Sequence, residues 1–140
     1  MESAPALPFT MYAKIGSSRS ESAGHVAGLM LYNSSSGKIV TWGPSLNGSF
    51  EYDHWNSVSS FSAASADAAY LPGPVVVYLK LTIDASGNIA YFRSPDGIAW
   101  LQSGTSTLAS FLSSVTHIGF GMDIESSTID QLACHWLRLR

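Results

Sequence analysis

Val75 to Trp100 (VVVYLKLTIDASGNIAYFRSPDGIAW) limits what this 140-residue chain can fold into more than any other stretch. From Val75 to Ile83 the odd positions are all apolar: Val75, Val77, Leu79, Leu81 and Ile83. The even positions include Tyr78, Lys80 and Thr82. A period of two with one apolar face is a strand laid on a core. Asp84 to Asn88 (DASGN) then reverses the chain, with Gly87 supplying a positive-φ position. Asn88 to Ser94 returns as a second strand. Ser94-Pro95-Asp96-Gly97 turns again, with Pro95 pre-setting φ and Gly97 closing the turn. Antiparallel β structure follows.

The rest of the chain agrees. Phe9, Met11, Ala13 and Ile15 alternate with Thr10, Tyr12 and Lys14, so Phe9 to Ile15 is predicted as a strand. Further strands are expected at His25–Asn33, Lys38–Trp42, Ser49–Asn56, Thr116–Asp123 and Gln131–Arg140. The last is apolar on both faces and reads as a central strand. Turns or loops are expected at Gly16–Gly24, Gly43–Gly48, Leu71–Pro74, just after Trp100, and at Ile124–Asp130. Ser57 to Ala69, nearly all Ser and Ala around Phe61, reads as an irregular loop or poorly regular strand. Leu108, Phe111, Leu112 and Val115 recur at helical spacing and predict one short helix. No βαβ unit is present. The expected fold is all-β, an antiparallel two-sheet jelly-roll sandwich, with residues 1–8 as an extended lead-in and 9–140 as the domain.

Composition excludes several functions. Charged residues are 12 % of the chain, about half the usual share. The seven Lys and Arg residues are scattered and the net charge is −3, which argues against nucleic-acid binding. No segment is long and apolar enough to cross a membrane, and the first residues lack the pattern of a secretory signal. The one cysteine, Cys134, excludes an internal disulfide and is expected to be a buried, inert thiol. His25, His54, His117 and His135 lack metal-ligand spacing, so neither metal nor cofactor is expected. Asn33-Ser34-Ser35 and Asn47-Gly48-Ser49 match the glycosylation sequon.

The order of five segments carries a resemblance: PFTMYAKI, HVAGLMLYNSSSGKIV, VVVYLKLTIDASGNIAYFRSPDGIAW, THIGFGMDIESS and ACHWLRLR. Together they resemble the concanavalin A-like lectin/glucanase superfamily, nearest to small jelly-roll modules of bacteriophage structural proteins and accessory domains of glycosidases. The resemblance implies a non-catalytic structural or adhesive module of a phage particle, in a tail fibre or as a capsid decoration protein. Its alternatives are a carbohydrate-binding accessory domain of a secreted glycosidase, or a degenerate glucanase. The location would be the virion, or extracellular in the alternative. Such modules usually have one or two further strands before the segment matching Phe9. Either the chain is the C-terminal piece of a longer protein or a partner supplies the missing strand. Unpaired backbone groups favour pairing with another chain, so virion proteins or further copies, as in a trimer, are the expected partners, with a glycan as candidate ligand.

Glucanases of the superfamily carry E-x-D-x-x-E on one strand. Here Glu51-Tyr52-Asp53-His54-Trp55-Asn56 ends in Asn56 where the second Glu belongs. Glu51 and Asp53 share a strand face, but that pair alone reads as an exposed polar face. The aromatic residues remain as ligand candidates. Trp42, Tyr52, His54, Tyr91 and Arg93 form the expected glycan groove, with flat rings for sugar C–H faces and polar groups for hydroxyls. Trp100 and Trp136 read as core.

Overall fold

The computed structural model describes residues 1–17, 26–45, 49–67, 75–122 and 132–140. Most of the expected loop at Gly16–Gly24, part of the turn at Gly43–Gly48, the turn at Leu71–Pro74, the loop at Ile124–Asp130, His25 and Asn47 lie outside these residues. So does the side chain of Trp136. Among the described residues there are eleven strands: β1 (Glu2–Ser3), β2 (Phe9–Ser17), β3 (Ala27–Tyr32), β4 (Ile39–Pro44), β5 (Phe50–Ser57), β6 (Ser60–Asp67), β7 (Val75–Ile83), β8 (Asn88–Ser94), β9 (Leu101–Thr107), β10 (His117–Met122) and β11 (Leu132–Leu139). The first sheet runs β1-β10-β3-β4-β5-β6 and the second β11-β2-β7-β8-β9. Every neighbouring pair is antiparallel. The protein is an all-β sandwich of two antiparallel sheets.

The alternating pattern sets which face each strand buries. Met11, Ala13 and Ile15 of β2 sit beside Leu81, Leu79 and Val77 of β7. They face Leu29, Leu31, Val40 and Trp42 of the first sheet across one core. Each large apolar side chain withdrawn from water contributes about 1.5–3 kcal/mol. Gly28 and Gly43 lie opposite each other where β3 and β4 run closest. A Cβ on Gly28 would fall 2.0 Å from the Trp42 carbonyl oxygen, so only glycine permits that approach.

Several expectations are corrected. The segment after Trp100 is not a turn but β9, a polar edge strand beside β8. Of the two readings of the Ser/Ala-rich segment, the poorly regular strand is the one seen: Ser60–Asp67 pairs with β5, with register shifts near Trp55. The one short helical turn is present, as the 3-10 turn Leu108–Ser110, and ends before Val115. There Thr107 caps the turn by accepting from the Ser110 N–H. The Leu108 carbonyl accepts from both Phe111 and Ser113. Ser and Thr binding their own backbone end a helix early. Leu108 and Leu112 are nonetheless buried, which explains their helical spacing.

The closing strand β11 lies at a sheet edge, not at the centre. Leu137 and Leu139 stand opposite Ala13 and Met11 and pack on the core, while Arg138 pairs with Tyr12 on the outer face. A bulge between Cys134 and Trp136 breaks the alternation, and Cys134 is exposed rather than buried. The lead-in contains β1, which pairs Glu2 and Ser3 with Ile118 and His117 along the side of β10 away from β3. Asn33 is buried and fully engaged. Its amide donates to the Leu112 carbonyl at 2.8 Å and to Ser114 Oγ at 3.0 Å. Its Oδ1 accepts from Ser35 and Ser36. The Asn33 side chain is therefore a structural staple between the β3–β4 turn and the 3-10 segment.

Candidate functional site

Four of the five expected groove residues, Trp42, Tyr52, His54 and Tyr91, pack together between the sheets, and Arg93 lies over Phe50, which packs on Trp42. Trp42 of β4 and Tyr52 and His54 of β5 project from the inner face of the first sheet. Tyr91 of β8 meets them from the second. Trp42 and Tyr91 are fully buried, with ring centroids 5.4 Å apart. Tyr52 stacks on Tyr91 at 4.5 Å and 7°. His54 stacks on Phe111 at 4.4 Å and 7°. The polar ends are also occupied: Trp42 Nε1 donates to the Phe92 carbonyl at 3.3 Å, and the Tyr91 hydroxyl lies 2.8 Å from Ser106 Oγ. Burial pushes the Tyr91 phenol well above its ordinary range. Arg93 lies over Phe50 at 5.1 Å and donates to Ser103. This ladder of rings is core packing that becomes half-buried toward Tyr52 and His54. A sugar could reach Trp42 or Tyr91 only by parting the sheets.

Glu51 and Asp53 depart from the expected exposed face. They do share the outer face of the first sheet, opposite Gly43 and Thr41. Yet only 7 % of Glu51 and 3 % of Asp53 is exposed. Ser49 Oγ donates to Glu51 Oε1. Catalysis by such a pair requires both carboxyl groups to reach the glycosidic bond, and here both are withdrawn from solvent. Among the described residues no cluster of three or more His, Cys, Asp or Glu could hold a metal ion.

An open, aromatic-lined site lies elsewhere, on the outer face of the second sheet. Tyr12 and Lys14 of β2 stand opposite Lys80 and Tyr78 of β7. The 94–100 turn folds over them. Ser94 Oγ accepts from the Gly97 N–H at 2.8 Å, and Asp96 Oδ1 accepts from the N–H groups of Ile98 and Ala99. Those backbone donors, with the Ser94 hydroxyl, hold the Asp96 carboxyl below the usual range. Gly97 has φ +76°, and a Cβ there would meet the Tyr78 ring at 2.9 Å, so the turn rests directly on that ring. The turn delivers Trp100 edge-on to Tyr12, centroids 5.8 Å apart. Tyr12, Tyr78 and Trp100 thereby wall a cleft of about 380 Å³, with Asp96, Arg138 and Arg140 as its polar lining.

A second hollow of about 370 Å³ lies by the same turn, among Phe50, Val76, Pro95 and Leu101. It is mainly apolar, and its cation, Arg93, is engaged with Phe50 and Ser103. The cleft fits a polyhydroxylated ligand better, because it combines half-buried rings with several polar groups. Its residues are visible in the sequence as the non-core faces of strands, Tyr12 with Lys14 and Tyr78 with Lys80. Trp100 reads as core from sequence, since nothing local shows that its turn folds over the sheet.

No protein-family model matches the chain, and no curated protein matches it. Solved structures do. A functionally unknown protein from Saccharomyces cerevisiae matches at TM-score 0.71 and 18 % identity, covering 97 % of this chain and 70 % of the yeast chain. A variant of the GH43 protein BlXynB from Bacillus licheniformis matches at TM-score 0.68 and 20 % identity over 94 % of this chain. BlXynB itself matches at TM-score 0.65 and 19 % identity. The chain spans only 27 % of either BlXynB chain. What these similarities show is the fold, a two-sheet antiparallel β-sandwich that is also found within the longer BlXynB chain.

Proposed function

We propose that this chain is a non-catalytic carbohydrate-binding accessory module that takes a sugar chain in the Tyr12–Tyr78–Trp100 cleft. The observation that carries the proposal is the cleft itself. Rings that are half apolar face and half polar tip suit a pyranose, which has C–H faces and a hydroxyl rim. Arg138, Arg140 and Asp96 lie where they can bind hydroxyls. Two further observations support this over the phage structural module. The same fold makes up 27 % of a GH43 chain, and Glu51 and Asp53 are too buried to act on a polysaccharide. An extracellular place goes with this reading, because the sugar chains a glycosidase attacks are largely outside the cell.

The test is affinity electrophoresis of the intact chain through gels containing neutral and acidic polysaccharides. The proposal expects retardation by at least one, lost in Trp100→Ala and Tyr12→Ala while the circular dichroism spectrum is kept. A variant retarded like the parent would contradict it.

A further inference from the structure

We infer that the sugar chain this face takes is an acidic one, a polysaccharide carrying uronic-acid carboxylates. The inference rests on the carbohydrate-binding reading of the same cleft and adds the charge of its ligand.

Cations are concentrated here. Lys14, Lys80, Arg138 and Arg140 are four of the seven Lys and Arg residues in a chain of net charge −3, and register places them on the outer face of the second sheet or in its cleft. Arg138, Tyr12, Lys80 and Phe92 form one row across four neighbouring strands. Strands lie about 4.8 Å apart, so the row alternates charge and ring on the scale of a sugar unit.

The cations stand on rings. The Lys80 ammonium is 4.0 Å from the Phe92 ring centre and 4.8 Å from that of Trp100. Lys14 lies 5.4 Å from Tyr78, and Arg140 lies 5.9 Å from Tyr12. Among the described residues Lys14, Lys80 and Arg140 form no ion pair with a carboxylate. The nearby acid, Asp96, spends one oxygen on the backbone of its own turn. Desolvation also lowers the Lys80 pKa, so an arriving anion would offset a cost already present. A ring face paired with an unneutralised cation matches a uronate, which has a C–H face and a carboxylate. Nucleic acid fits less well. Tight binding there needs about 6–10 phosphate contacts, and this face holds four cations.

The experiment is calorimetric titration of the intact chain with polygalacturonate and alginate fragments, with their methyl esters, and with duplex DNA. Esterification keeps the sugar and removes the charge. The inference expects the free acid of at least one polymer to bind. Its ester should bind at least about tenfold more weakly, the worth of one charge-assisted hydrogen bond. Adding about 1 M salt, where the Debye length falls to about 3 Å, should also weaken the acid. Lys80→Ala should weaken the acid severalfold. Arg140 also lines the cleft, so Arg140→Ala should weaken the acid by a larger factor than the ester. Equal binding of acid and ester would overturn this inference and leave the carbohydrate-binding reading standing. Binding of neutral sugars alone would do the same. Failure of every sugar, acidic or neutral, would overturn both. DNA binding as tightly as the sugar and competing with it would overturn the assignment to a glycan.

Discussion

His54 shows how one residue couples packing to pH. Its imidazole lies flat on Phe111, and the Lys38 ammonium sits 4.7 Å from the same ring. Desolvation lowers the His54 pKa below 6.5. The unfolded chain therefore takes up this proton before the folded one, so stability falls as pH drops below about 6.5 toward the lower folded value. His54→Gln should flatten that part of the curve, read as urea midpoints across the acid range. Asn33 makes a second residue-scale case. Asn33→Ala removes the bonds to the Leu112 carbonyl and Ser114 Oγ and the acceptor of the Ser35 and Ser36 N–H groups, and should cost about 1–3 kcal/mol by equilibrium unfolding, with the cleft unaffected. Both roles were hidden in the sequence. It displays His54 as a ligand candidate and Asn33 as a sequon, because residue type reveals chemistry but not which neighbours consume it. Trp42 and Tyr91 teach the same lesson: two rings on alternating strands can face a groove or each other, and here they face each other.

Among the elements, the 94–100 turn matters most to the site. Its SPDG signature was legible because each residue acts locally. Ser94 and Asp96 collect N–H groups, and Gly97 takes the left-handed φ. The side of the sheet to which it folds was not legible, since that depends on the contact with Tyr78. Gly97→Val should strain φ and collide with Tyr78. We expect weaker glycan binding, lower near-ultraviolet dichroism from Trp100 and a preserved far-ultraviolet spectrum. The strands followed the same rule. Those with an apolar face, β2, β3, β7, β8 and β10, could be placed from the alternation of their side chains. Strand β9 (LQSGTST) could not, because an edge strand can be held by backbone bonds to β8 with little apolar contribution of its own. In β11, two apolar faces suggest a central place, but the bulge at Cys134–Trp136 shifts the alternation.

For the molecule as a whole, the sandwich leaves two outer faces with different characters. The first sheet's buries its acids, Glu51 and Asp53. The second sheet's carries rings and cations around an open cleft. The fold recurs as 27 % of a GH43 chain. One outer face carries the ring-lined cleft of the proposed sugar site, and the Glu51–Asp53 pair on the other is buried. Removing the Trp100 ring from that cleft should cost little stability, because Trp100 lies outside the core between the sheets. The most direct test is calorimetric titration of the parent and of Trp100→Ala with the polysaccharide that retards the parent. The account predicts saturable binding by the parent, at least about tenfold weaker in the variant, with unfolding midpoints that nearly coincide. Equal affinity in parent and variant would contradict it.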